Sequence, residues 1–313
     1  MSKSSLEARR KEKQWQHKFE YIGLNVLIGI CALLPWSLLY RFAKFCGNLI
    51  AKKLQRSEDF MDANLAKCFP DLSTEDTVKL KKDFIINMTY IGFETLKLYS
   101  LSKKAQEKVL AKKASITNPE YLADILSKHP GCILWMPHYG NWEWLTSLLT
   151  NAFPGQISSV YKTLHNKYVD EYMYHARKSA QHPESRLEKI DSFVKSFVKD
   201  LRSPANKSKA YLMISDQRPV GNQEKVVVKL LGREVNFLGG PEKLARQKNL
   251  PIVYVNVEMG EGRNFKVTFE EVTYSIKEGF GEPTRKIAKL LEKQIAKAPC
   301  HWNWGHNLWH GLE

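Results

Sequence analysis

The sequence predicts an α/β protein: a mixed β-sheet sandwiched between helices, behind a helical N-terminal region. Two observations carry this. From Tyr121 onward, short apolar runs of strand length alternate with longer stretches of helical period. Before Asn118-Pro119 the periodicity is helical, and a charge-free stretch of 20 residues, Tyr21–Tyr40, lies near the start.

Taken in order, residues 1–20 are polar and basic, with Lys3, Arg9, Arg10 and Lys18, and read as a helix or tail. Tyr21–Tyr40 is just long enough to span a bilayer, which needs about 20 apolar residues. Asn25, Pro35 and Trp36 weaken it as a span. Tyr40–Leu54 mixes apolar residues with Arg41, Lys44, Lys52 and Lys53, the pattern of a basic helix lying in an anionic headgroup layer. Residues 1–54 are therefore expected to anchor the protein to a membrane, by a span or by an interfacial helix, with an ordinary pair of core helices as the alternative. Residues 55–313 are expected to form the functional domain, with a helical lead over 55–118 and an α/β core over 119–313.

Asn64–Pro70 ends one helix. Ser73 with Asp76 forms a capping box for the next, which runs from Thr74 to about Tyr99. Glu94 in that helix reads as part of a solvated face. After a short helix at Tyr121–Lys128, Cys132–Met136 is a buried strand. It runs into His138-Tyr-Gly-Asn141-Trp-Glu143, where Pro137 and Gly140 break the strand and Asn141 caps a helix. This turn can bring His138 and Glu143 together. A carboxylate there would hold one imidazole nitrogen protonated and leave the other free to accept a proton.

Ile157–Tyr161 is a second strand, followed by Lys162 and His165, and Lys167–Lys178 a helix. Arg186–Leu201 reads as one helix with an apolar stripe through Phe193 and Phe197. Residues 202–209 read as a surface loop. Ala210–Ser215 is a strand ending in Asp216-Gln-Arg218. Val226–Leu231 and Glu234–Phe237 form a hairpin about Gly232-Arg233. Gly239-Gly240-Pro241 opens a helix whose start can cradle an anion. Ile252–Val257 and Phe265–Phe269 are strands, and Thr284–Ala298 is a helix.

The chain of 313 residues carries a net charge of +15, which suits a polyanion: nucleic acid, an anionic membrane or an acidic carrier protein. No RNA-binding signature or DNA-reading motif favours nucleic acid. The five cysteines are scattered, odd in number and without a Cys-x-x-Cys pair, so a reduced, cytoplasm-facing protein is expected. His301, His306 and His310 with Cys300 offer a rival metal-binding group, although no acid or second thiol stands near them in the chain.

The strand before His138, the Gly-Asn break, the His-x4-Glu spacing and the flanking tryptophans resemble the lysophospholipid acyltransferase superfamily. They are most similar to its branch of late lipid A acyltransferases, over roughly Tyr121–Trp309. The Asn64-Leu-x-x-x-Phe-Pro segment and Trp304-x-His306 add to the likeness. The resemblance implies an αβ sandwich of the glycerolipid acyltransferase type. It implies that His138 activates an acceptor hydroxyl or amine and Glu143 orients it, with Asn141, Lys162, Asp216 and Arg218 binding substrate. Asp216 could orient a substrate amine or hydroxyl or a neighbouring cation, and Arg218 could meet a phosphate. It further implies a fatty acyl thioester as donor (most plausibly on acyl carrier protein, otherwise on coenzyme A), a lipid acceptor, no cofactor and no metal. The cytoplasmic face of a bacterial inner membrane is the expected location. Two departures stand out: Lys162 where the family usually has Arg, and Asn307-Leu308 where it has two arginines. A hydrolase would use the same chemistry with water as acceptor. A basic membrane-binding protein without turnover is the non-enzymatic alternative.

Overall fold

The computed structural model describes residues 3–54, 60–202 and 208–310, with side chains from Gln14 onward. Most of the expected loop at 202–209, and the basic side chains from Lys3 to Lys13, lie outside these.

Helices α1 (Lys3–Leu33) and α2 (Trp36–Leu54) lead the chain, followed by α3 (Phe60–Cys68), α4 (Thr74–Tyr99) and α5 (Lys103–Lys113). Ser73 caps α4 as expected: its Oγ accepts from the Asp76 N–H at 3.0 Å and donates to the Asp76 carboxylate at 2.7 Å. The chain then alternates through β1 (Ala114–Ile116), α6 (Pro119–Lys128), β2 (Gly131–Met136), α7 (Trp142–Ala152), β3 (Ile157–Tyr161) and α8 (Lys167–Ala180). β4 (Arg186–Lys189), α9 (Ile190–Arg202), β5 (Lys209–Ile214), β6 (Lys225–Leu230), β7 (Arg233–Leu238) and α10 (Gly240–Lys248) come next. β8 (Ile252–Gly260), β9 (Asn264–Thr273) and α11 (Glu282–Lys297) close the fold.

Seven strands form one sheet in the order β1-β9-β8-β2-β5-β3-β4, and β6 and β7 make a separate antiparallel hairpin. Within the large sheet the pairing is parallel except between β8 and β9. β2 lies at the centre and is buried along its whole length, which explains its unbroken apolar run. Trp144 of α7 and Phe153 at its C-terminal cap pack on Phe265 and Phe269 of β9 on one face. Phe193 and Phe197 of α9 pack on Tyr211 of β5 on the other, where the Tyr254 hydroxyl donates to Gln294 of α11. Strand alternation sends these two sets to opposite faces.

Three expectations need correcting. Residues 186–201 are not one helix. Arg186–Lys189 is the edge strand β4, paired in register with β3 and held by the Ser158 hydroxyl on Glu188 at 2.7 Å. Strand pairing overrides a helical periodicity that only α9 keeps. Glu94 is not on a solvated face: it is 1% exposed and paired with Arg263. The bilayer span fails too. Among the described residues no helix is long and apolar enough to cross a membrane, and Leu34-Pro35 splits the charge-free stretch between α1 and α2. Proline offers no N–H to continue a helix ladder and its ring crowds the preceding turn.

α2 buries Leu39, Ala43, Gly47 and Ala51, mostly against α4, and turns Leu38, Phe42, Phe45 and Leu49 outward. α1 likewise exposes Phe19, Ile22, Val26 and Leu33. These positions recur at helical spacing, so each helix carries an exposed apolar stripe.

Candidate active site

The site is built at the carboxyl end of the sheet, where β2 and β5 lie side by side. Their register pairs Met136 with Ile214, so His138 and Asp216 each stand two residues beyond a matched pair. The loop after β2 turns sharply at Gly140, whose φ of +60° and proximity to Met259 and Phe265 leave no room for a side chain. The C-terminal segment clamps this turn. The Gly140 N–H donates to the His301 carbonyl and the Asn303 N–H to the His138 carbonyl.

His138 Nδ1 meets Asp216 Oδ1 at 2.5 Å, and the His138 backbone N–H donates to Asp216 Oδ2 at 2.9 Å. The Trp302 indole N–H also donates to Oδ2, at 2.8 Å. Burial pushes the Asp216 carboxyl up, but the imidazole and these hydrogen bonds outweigh it and hold the group below its usual range. An ionised Asp216 keeps the proton on Nδ1 and leaves Nε2 as the acceptor.

Glu143 does not take that place. Its carboxylate accepts from Arg177 Nε at 2.9 Å and Nη2 at 2.6 Å, and from the Tyr99 hydroxyl at 2.8 Å. Burial raises the Glu143 carboxyl, yet Arg177, Tyr99 and His138 together bring it below its ordinary value. Sequence reasoning paired Glu143 with His138 because both lie on one local turn. The imidazole is instead oriented by Asp216, from another strand, while Glu143 orients Arg177. Arg177, Tyr99 and Trp302 carried no local signal.

His138, Trp142, Glu143 and Arg177 line one side of a cleft of about 210 Å³, open to solvent, whose other walls come from β3, β4 and β5. Lys162 lines the same cleft and is exposed. Asn141 does not reach it: the residue is fully buried, caps α7 through the Trp144 N–H and donates to Glu94 at 3.1 Å. This corrects its expected part in substrate binding. Glu94 in turn holds Arg263, so the turn that carries His138 is anchored to α4 and to the β8–β9 connection. Arg218 lies beside the cleft rather than on its wall. Its backbone N–H donates to His306 Nε2 at 3.0 Å and its Nη1 to the His310 carbonyl at 3.2 Å.

The rival metal group is not assembled: no cluster of three metal-binding side chains stands among the described residues. His301 turns to Asn87 and His306 accepts from Arg218, on a segment that is not α-helical. At the departure from the usual arginines, Asn307 accepts from Asn64 and Leu308 is buried. The cation beside Trp309 comes from Arg233 on β7, which also donates to Asn64. At α10 the Gly239 N–H donates to the Glu224 carbonyl, away from the cleft.

A histidine held by a buried carboxylate, opening on a cleft at the carboxyl edge of a largely parallel sheet, defines an α/β protein equipped for general-base chemistry. The chain belongs to the bacterial lipid A biosynthesis acyltransferase family, whose model matches residues 7–311. It is an acyltransferase of lipid A biosynthesis, with a lipid acceptor, and the non-enzymatic reading falls away. No match was found among curated proteins.

Proposed function

We propose that the protein moves a fatty acyl chain from a thioester on acyl carrier protein to a hydroxyl or amine of a lipid A precursor, with His138 as the base. The observation that carries this reading is the His138–Asp216 hydrogen bond, with His138 lining the cleft. Nε2 removes the proton from the acceptor as its oxygen or nitrogen attacks the thioester carbonyl. The tetrahedral intermediate collapses, the carbon–sulfur bond breaks, and the imidazolium returns its proton to the leaving thiolate. Asp216 stabilises the imidazolium between these steps. Arg177, clamped by Glu143 on the same wall, supplies fixed positive charge for the developing oxyanion. No residue becomes acylated, because the acceptor is the nucleophile.

Lys162 and Arg218 are placed to meet anionic groups of donor or acceptor at the cleft edge. The acidic carrier suits a chain of net charge +15. The exposed apolar stripes of α1 and α2, flanked by Lys18, Arg41 and Lys44, fit an anionic membrane surface from which the lipid acceptor is drawn. That surface is the cytoplasmic face of the inner membrane, with the protein bound peripherally. The deciding experiment is single-turnover transfer from acyl carrier protein to a lipid A precursor, normalised to folded enzyme. Folded His138→Ala protein that transfers at near the parent rate would remove the centre of the proposal.

A further inference from the structure

The cleft beside His138 has two kinds of wall. Leu187, Leu212 and Ile214 share one face of the sheet and suit a hydrocarbon chain. Among them stand polar groups that the acyl-transfer chemistry does not use: Ser159 and Tyr161 on β3, and Gln181 just past α8. Gln181 is only 2% exposed. Its Nε2 donates to Ser159 Oγ at 3.1 Å, and Ser159 Oγ donates to the Arg186 carbonyl at 3.2 Å. That chain commits the serine's only proton and leaves Gln181 Oε1 buried with no partner among the described residues. The Tyr161 hydroxyl is buried without a partner as well. Folded proteins satisfy nearly all such groups.

We propose that the part of this cleft lined by Ser159, Tyr161 and Gln181 receives a hydroxyl group on the acyl chain, so that the preferred donor is a hydroxyacyl thioester rather than an unsubstituted one. This rests on the acyl-transfer reading above. A plain hydrocarbon laid against this wall would leave Gln181 Oε1 and Tyr161 Oη unsatisfied. Both atoms are buried as the side chains stand, so a hydroxyl donates to the first or accepts from the second once a side-chain rotation turns that atom towards the cleft. The argument survives turning the Gln181 amide over, since an unpaired NH₂ would seek the hydroxyl oxygen instead. A site with a waiting hydrogen-bond partner discriminates strongly against an analogue that lacks the group.

The test compares acyl carrier protein loaded with a saturated chain and with its 2-hydroxy and 3-hydroxy counterparts of equal length. We expect kcat/KM to favour one hydroxylated donor by about tenfold or more. Tyr161→Phe, which removes only a partnerless hydroxyl, and Gln181→Leu should each move that ratio towards one, with melting temperature checking the fold. Equal or lower kcat/KM for both hydroxylated donors overturns the proposal, as does an unchanged ratio in both folded variants. Transfer from none of the donors would instead sink the acyl-transfer reading. Calorimetric titration with the free hydroxy and unsubstituted fatty acids then decides the proposal alone, equal affinity counting against it.

Discussion

His138 and Asp216 occupy equivalent places on neighbouring parallel strands, and their side chains meet at 2.5 Å although 78 residues separate them. The sheet register, more than the loop after β2, sets the direction of the imidazole. Asp216→Asn tests this. The amide places an N–H where Nδ1–H donates and favours the wrong tautomer, so transfer should fall by about 10²–10⁴-fold while the fold persists. His138→Ala should fall at least as far. Single-turnover rates alongside circular dichroism read both, and an Asp216→Asn enzyme at the parent rate would show that the pair is only structural.

Glu143→Gln should behave differently. It leaves the half-buried Arg177 guanidinium without its counter-charge, and breaking a fully buried pair costs about 3–5 kcal/mol, an upper bound here. Denaturant unfolding should show that loss, together with slower transfer. A variant as stable as the parent would mean that the Arg177–Glu143 pair contributes little.

The half-buried Arg263 pairs with the buried Glu94, which also receives Asn141, the cap of α7. Arg263→Met should destabilise the protein by about 3–5 kcal/mol, and Glu94→Gln in the same chain should restore part of the loss. Double-mutant unfolding curves measure the coupling, and simple additivity would count against it.

Stability should depend on acid through His301. Burial first, and Arg263 second, lower its imidazole from the ordinary 6.5 to about 4. Above pH 6.5 both folded and unfolded forms are neutral and the stability is fully present. As pH falls from 6.5 towards 4, only the unfolded chain takes up the proton, so stability declines on the order of 2–3 kcal/mol. His301→Asn should flatten that slope, whatever its stability at pH 8. An identical slope in the variant would assign the effect to another group.

Membrane attachment is testable without opening the core. α2 packs on α4, so deleting residues 1–54 would expose buried surface as well as remove an anchor. Replacing Phe19, Val26, Leu33, Phe45 and Leu49 by serine touches only exposed positions. The variant should remain folded and lose flotation with anionic vesicles, each buried apolar side chain being worth about 1.5–3 kcal/mol. Undiminished flotation would place the anchor elsewhere.

The sequence by itself determined the features that depend on neighbours in the chain. The apolar run of β2, the break at Gly140, the cap at Asn141, the Ser73 box and the hairpin about Gly232 are each written in a few consecutive residues, because backbone dihedrals and period are local. That was enough to single out His138 and the family it resembles. Only the tertiary structure decided which acid serves it. Asp216 becomes its partner through the β2–β5 register, Glu143 goes to Arg177 because α8 crosses α7 there, and Glu94 is buried because Arg263 arrives from the β8–β9 connection. Arg186–Lys189 becomes an edge strand because β3 offers it a ladder. These outcomes are pairings between distant segments. Local periodicity does not encode them, whereas burial favours a counter-charge for a buried charge and a partner for a buried backbone group.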